Sequence, residues 1–249
     1  MSSKYCSVVL GGSSGVGRAL VEQLAIRGDK VLAVARDIRD LEALQYNCEL
    51  RYGAEIKIIA IDFTSAGFNP HAFADDCITT LGRVTHLFMP FGAISDEDKG
   101  VPAPEVVAQL TLVNHLRPAQ LLSAFSDHFT AIGSGHAMIF STIATVAPRS
   151  NNAAYAAAKA ALEFYCRALQ HHFADSDIII QICALGYVDT TMSFGMKLLF
   201  PAVTPDAVAL FALRMSESRK RFAYFPGFWW LITALLRILP WTIYKRLSF

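Results

Sequence analysis

Short apolar runs alternate with longer amphipathic stretches along most of the 249-residue chain. The runs at 5–10, 30–35, 56–61, 84–89, 136–141, 178–183 and 221–225 predict buried strands, and the stretches at 16–27, 39–46, 70–81, 104–126, 152–173 and 205–217 predict helices. Asn69-Pro70 and Thr204-Pro205 each pair a capping side chain with proline at the first helical position. Strand alternating with helix predicts an α/β fold: a doubly wound parallel sheet of about seven strands, covered on both faces. No repeat, low-complexity segment or linker interrupts the pattern.

The pattern changes at the end. Residues 227–249 are apolar nearly all round, with Trp229, Trp230, Trp241 and Tyr244 near the ends of two short segments and Arg237, Lys245 and Arg246 as the charges. A helix over 228–239 is about 18 Å long, too short for a hydrocarbon core of about 30 Å, and Pro240 breaks the run. Two readings fit this extension: a peripheral anchor in the membrane interface, with aromatics at headgroup level, or an element packed on the sheet edge or a neighbouring subunit.

Composition narrows the picture modestly. The length suits one α/β domain over residues 1–226, followed by the extension at 227–249. Hydrophobic residues make up 53% of the chain, and mean hydropathy is +0.37. A net charge of +1 implies no broad pull toward nucleic acid. Five scattered cysteines, without C-x-x-C or H-E-x-x-H, read as reduced thiols with no metal site. Met1-Ser-Ser-Lys leads straight into the first strand with no signal peptide, so a cytoplasmic location is expected.

Chemistry enters at two places. The first strand runs into Gly11-Gly-Ser13-Ser14-Gly15-Val16-Gly17 and then a helix ended by Gly28, which is the setting a dinucleotide-binding turn requires. Gly11 permits the tight turn, Gly15 lets the backbone approach a pyrophosphate, and Gly17 lets the helix pack close. The helix N-terminus offers free N–H groups to the phosphates. Farther on, Tyr155 and Lys159 lie four apart in an alanine-rich helix, on one face. An ammonium beside a phenol favours phenolate and lowers the tyrosine pKa toward neutrality. Such a Tyr exchanges a proton with a carbonyl or alcohol oxygen.

These two motifs, in this order and at this separation, resemble the short-chain dehydrogenase/reductase family over residues 4 to about 225. The resemblance implies a Rossmann-like fold and a hydride exchanged between nicotinamide and a carbonyl or alcohol. Tyr155 is the implied general acid/base, Lys159 its partner and the binder of the nicotinamide ribose, and Thr142, thirteen residues before Tyr155, the hydroxyl that holds the substrate oxygen. Ser141 is adjacent, but strand alternation lets only one of the two face the substrate. Asn114, a poor helix former within 104–126, is implied to bend that helix and support a proton relay to Lys159.

For the cofactor, the resemblance implies that Ser13, Ser14, Gly15, Val16 and Gly17 cradle phosphates, that Asp62 and Phe63 meet adenine, and that Gly92, Gly186, Val188 and Thr190 line the nicotinamide side. The second strand ends in Ala35, where NAD-preferring members carry an acid, and Arg36 follows. NADP(H) is therefore favoured over NAD(H), because Arg36 can pair with a 2′-phosphate. Asp37 keeps NAD(H) as the lesser alternative.

Three positions depart from the family pattern: Met89-Pro90-Phe91-Gly92 replaces N-N-A-G, Leu185-Gly186 replaces P-G, and Leu10 replaces the Thr that opens the glycine turn. Pro90 predicts the end of strand pairing there. The departures keep a second reading open, a non-catalytic NADP(H)-binding or scaffold protein at the membrane. The expected lid, 187–200, carries Met192, Phe194, Met196, Leu198, Leu199 and Phe200, which suggests a lipophilic substrate. Helices 104–126 and 152–173 are the expected faces of a homodimer or homotetramer.

Overall fold

The computed structural model describes residues 5–147, 149–195 and 199–246. The expectations for Met1–Lys4, for Met196 and Leu198 of the lid and for residues 247–249 of the tail lie outside the described residues.

Seven parallel strands form one sheet in the order β3-β2-β1-β4-β5-β6-β7. They are β1 (Cys6–Leu10), β2 (Lys30–Ala35), β3 (Ile56–Ala60), β4 (His86–Met89), β5 (Ser134–Thr142), β6 (Asp177–Leu185) and β7 (Phe222–Phe225). The helices α1 (Gly15–Arg27), α2 (Ile38–Tyr52), α3 (Pro70–Leu81), α4 (Pro104–Thr111), α5 (Arg117–Ile132), α6 (Ala153–His172) and α7 (Pro205–Ser216) join them. Two buried clusters divide the core. One places α3, α5 and α6 on one face of the sheet, and the other places α1, α2 and α7 on the opposite face. The strand order reverses between β1 and β4, and in open α/β sheets the crevice beyond the C-terminal strand ends at such a point is where ligands bind.

The predicted strands are all present, and β4 stops at Met89, immediately before Pro90. Two helices outrun the prediction. α2 continues from the expected end at 46 to Tyr52, burying Leu41, Leu44 and Cys48 on one side until Gly53 closes it with a left-handed φ of 63°. The stretch 104–126 is three pieces rather than one helix: α4, a π-helical turn at Leu112–Leu116, then α5 reaching Ile132. Beyond the expected end at 126, Ser126 and Thr130 turn their hydroxyls back onto the carbonyls of Leu122 and Ser126 within the continuing helix.

The extension forms α8 (Trp229–Ile238) and, beyond Pro240, the single turn α9 (Trp241–Tyr244). No helix among the described residues is long and apolar enough to cross a membrane.

Candidate active site

The glycine turn is built as its sequence suggests. The Gly11 and Gly12 N–H groups both donate to Val34 O at the end of β2. Gly17 sits so close that a Cβ on it would lie 1.9 Å from Gly11 O, which explains why α1 can start directly against β1. Gly15 adopts φ 49°, and Thr190 packs where its side chain would be, with Cγ2 at 3.2 Å from that position. Ser14 caps α1 in position but makes no side-chain bond to it, and the first turn holds no acid. The N–H groups there are therefore open to an external anion. Ser13 and Val16 flank the same opening, partly buried. This cradle fits a dinucleotide pyrophosphate.

The adenosine side is more open. Arg36 is exposed at the end of β2, and its charge lowers the Asp62 pKa, although the larger lowering comes from hydrogen bonds donated by Thr64. Asp62 Oδ1 accepts from Thr64 N–H and Thr64 Oγ1, both at 2.8 Å, as in an Asx turn. Asp37 is engaged elsewhere: it caps α2 and pairs with Arg39 at 2.7 Å. Phe63 is buried among Phe68, Phe73 and Phe91, so its ring belongs to the core, and its carbonyl accepts from Arg117 Nε at 2.6 Å.

At the ends of β4 and β5, Asn114, Lys159, Thr142 and Tyr155 converge. Asn114 is fully buried in the π-helical turn. Its amide donates to Ala93 O at 2.8 Å and Leu110 O at 3.0 Å, and its Oδ1 accepts from Ala93 N–H at 3.1 Å. The side chain thus reaches out of the bent helix and pins the loop after β4. A Cβ at Gly92 would lie 2.9 Å from Asn114 Oδ1 and 3.3 Å from Lys159 Nζ, so the one residue kept from the altered Met89–Gly92 stretch is the one whose lack of a side chain the site needs.

Lys159 is buried, and its Nζ donates to Phe140 O at 3.1 Å and Phe91 O at 3.5 Å. Burial lowers its pKa to about 8, while Cys166 and Glu163 pull it back up. Tyr155 differs from expectation. Its partly buried phenol is pushed up to about 12 by burial, and a hydrogen bond with Thr142 opposes the rise. The Lys159 ammonium is directed at backbone carbonyls, so it does not produce the expected lowering. A phenol in this state is a proton donor.

Strand alternation separates the two β5 hydroxyls as anticipated. Thr142 meets Tyr155 and accepts from Ala144 N–H at 3.2 Å. Ser141 is buried, and its hydroxyl donates to Glu163 Oε1 at 2.5 Å, a carboxylate that also accepts from Thr145 Oγ1. Sequence reasoning missed Glu163, which lies one turn beyond Lys159, because an acid on an amphipathic helix reads as solvated. It also missed Asp98. This buried side chain accepts from Ala154 N–H at 3.0 Å and Tyr155 N–H at 2.9 Å, capping the helix that carries the tyrosine. Nothing near Asp98 in sequence announces a helix that starts more than fifty residues later.

On the far side, Gly186 faces the extension rather than open space. A Cβ there would lie 1.9 Å from Trp229 Nε1, so the missing side chain makes room for the indole. Val188 bridges to Val203, and its carbonyl accepts from Ser193 Oγ at 2.6 Å; Thr190 closes the same turn. Beside Thr142 opens a pocket with about 530 Å3 of empty space, mouth included. Ile143, Ala147, Tyr187, Phe200, Trp229 and Ile232 are among the residues that line it. Among the described residues no cluster of His, Cys, Asp or Glu could hold a metal ion.

Comparison with known proteins agrees with this fold. A family model described as short chain dehydrogenase matches residues 6–197. An uncharacterised oxidoreductase of Mycobacterium tuberculosis is 24% identical over 241 residues, 96% of this chain and 96% of that protein. A protein of Pongo abelii named inactive hydroxysteroid dehydrogenase-like protein 1 is 29% identical over 195 residues, 75% of this chain and 57% of that one. Among solved structures, a short-chain dehydrogenase of Sphingobium yanoikuyae in complex with NADPH superimposes with a TM-score of 0.77 at 21% identity, covering 98% of this chain and 96% of the other.

Proposed function

The chain belongs to the short-chain dehydrogenase family, and from that premise we propose that it is an NADP(H)-dependent oxidoreductase acting on a carbonyl or alcohol of a lipophilic small molecule. The observation that carries this reading is the convergence of Thr142, Tyr155, Lys159 and Asn114 beside the open α1 N-terminus. When bound, the cofactor supplies the hydride. Gly11, Gly15 and Gly17 shape the cradle, and the α1 N–H groups hold the pyrophosphate. Arg36 meets the 2′-phosphate, Asp62 and Phe63 lie along adenine, and Gly92, Val188 and Thr190 border the nicotinamide, whereas Gly186, given to the same side by the resemblance, is taken up by the Trp229 indole. Thr142 and Tyr155 grip the substrate oxygen, and Tyr155 exchanges its proton with it. Lys159 holds the ribose, and its charge supports the phenolate left after donation.

NADP(H) is preferred over NAD(H) because Ala35 offers no acid and Asp37 is committed to capping α2. NADPH should therefore bind more tightly than NADH in a fluorescence titration. Arg36→Ala should weaken NADPH by about 1.5–3 kcal/mol and leave NADH nearly unchanged; equal affinities for the two cofactors would refute the assignment.

The replacement of the family's N-N-A-G by Met89-Pro90-Phe91-Gly92 favours a second reading, a protein that binds NADP(H) without turnover. NADPH consumption measured across a panel of lipophilic ketones separates the two. Self-association through α6 accords with Phe164, a ring 77% exposed on that helix. Peripheral contact with the cytoplasmic membrane face through residues 227–249 completes the proposal.

A further inference from the structure

The helix α8 is apolar on both sides, and the two sides meet different surroundings. Trp229, Ile232, Thr233 and Leu236, at helical spacing, line the pocket beside Thr142. Trp229 is 4% exposed and packs edge-on against Tyr187 and Phe200, with ring centroids at 5.7 and 5.1 Å. The other side is bare: Trp230 is 64% exposed, Leu231 55%, Leu235 53% and Ile238 76%, and Trp241 on α9 continues the surface at 70%. A helix apolar all round is ordinarily buried, and a monomer rarely leaves so continuous a patch in water.

The composition of this segment says what covers it. After Glu217 the chain has no acidic residue, while Arg237, Lys245 and Arg246 are exposed along the same segment. A two-fold contact between copies would set these cations against each other with no acid from either segment to neutralise them. Anionic lipid neutralises them and accepts the tryptophans at headgroup depth. The ten residues of α8 span about 15 Å, a length suited to lying in the interface. The rim of the pocket is apolar and exposed at Leu199 and Phe200, and the Phe200 ring packs on Phe228, an exposed residue where α8 begins, with ring centroids 5.7 Å apart.

We propose that α8 and α9 rest their outer face in the headgroup region of an anionic bilayer, and that the pocket beneath α8 opens toward that bilayer and draws a long-chain carbonyl or alcohol directly from it. Nicotinamide chemistry at Tyr155 rests on the function proposed above; the membrane-facing portal does not.

The test uses the full-length chain and vesicles of phosphatidylcholine with about 30% phosphatidylserine. Brominated acyl chains should quench the tryptophan fluorescence, and binding should weaken at high salt. Leu231→Glu with Leu235→Glu should abolish vesicle binding, with NADPH affinity as the control for folding. A long-chain ketone carrying a diazirine, dissolved in the vesicles, should photolabel pocket residues such as Ile143 or Leu236. Ile232→Trp, which fills the pocket, should remove that label and leave vesicle binding intact.

The proposal is overturned if the vesicles fail to quench, if the label never enters the pocket, or if the outer-face variant binds vesicles normally. It is likewise overturned if that variant only converts a dimer to a monomer while the wild type ignores vesicles, which assigns the face to a second copy. Pocket labelling without NADPH consumption refutes the oxidoreductase reading and leaves the portal standing. Consumption with a water-soluble ketone but no labelling from vesicles does the reverse.

Discussion

Both ends of the parallel strands bury polar side chains, and the two ends use them differently. At the N-terminal end, Ser7 donates to Asp29, which Arg27 also grips at 2.8 Å, and Gln181 gives its amide to the carbonyls of Met215, Ser218 and Lys220. Gln181 Oε1 accepts from His136 Nε2 at 2.6 Å, and alongside them His86 stacks with Phe88 and meets Tyr5 edge-on. That end is a closed lattice tying β1, β4, β5 and β6 together. At the C-terminal end, Lys159 makes two longer bonds to carbonyls, the α1 N–H groups have no side-chain cap, and an apolar pocket lies beside Thr142. Burial of polar groups is thus common to both ends. The first end leaves Arg27 Nη1 and His136 Nδ1 buried without a hydrogen-bond partner, whereas at the second the N–H groups at the start of α1 have no side-chain cap, and that openness marks it as the candidate for binding another molecule.

The sharpest way to break this contrast is Tyr155→Phe. The ring that fills the space stays and the transferable proton goes. Turnover should fall by about a thousandfold or more, while NADPH affinity and the melting temperature stay near wild type. A variant that keeps its rate on any accepted substrate would show that the open end is no more catalytic than the closed one.

The closed end should reveal itself in acid. Burial lowers the pKa of His86 to about 2 and that of His136 to about 4, both from 6.5. His136 Nδ1 is already buried without a partner, so a proton added there would be stranded. Because the folded pKa values lie below the unfolded one, the unfolded chain takes up more protons below pH 6.5. Stability is full above about pH 6.5 and falls as the pH drops, by about 1.4 kcal/mol per pH unit for each histidine that must stay neutral. Urea unfolding at pH 7 and pH 5 should show this loss, and His86→Phe should reduce the slope by about half. An unchanged slope would mean that other groups govern acid unfolding.

The same contrast explains what could be read from the sequence. Strand positions, the glycine turn, the Tyr155 and Lys159 face and the break at Pro90 were legible because each is written in neighbouring residues: an apolar run, a turn composition, an i,i+4 spacing. The bend at Asn114 was legible through its misfit in a helix, though not the π-helical turn that bend takes. Gln181, Glu163 and Asp98 were not legible, since their partners lie on other elements and no local spacing marks them. The direction of the Tyr155 pKa was misread for a related reason. Spacing places Lys159 on the right face, but the carbonyls of Phe91 and Phe140 that hold its ammonium come from the loop after β4 and from β5. The extension was readable as apolar and too short to span a bilayer. Its division into a packed face and a bare one depended on Gly186 leaving room for Trp229.

Asp98 supplies the smallest effect and the finest test, because it is a closed, saturated group placed at the open end. Its two carboxylate oxygens take one N–H each from Ala154 and Tyr155, and its backbone oxygen accepts from Asn152 N–H at 2.6 Å. Gly100 N–H donates to Ser150 O close by, so the loop after β4 is stitched to the start of α6. Asp98→Ala frees two N–H groups in the first turn and should cost about 1 kcal/mol, or about 2–4 °C in melting temperature for a chain of this size. Asp98→Asn keeps one acceptor but turns an amide N–H toward a backbone N–H, so it should fall between Ala and wild type. Tyr155 lies in that first turn, whereas Lys159 lies one turn deeper. Fraying should therefore displace the phenol more than the Lys159 amine, to which the proposed function gives the ribose, and kcat should drop with little change in the KM for NADPH. If both variants lower the melting temperature and leave kcat untouched, Asp98 is a cap alone and the phenol is positioned by Thr142 and its packing.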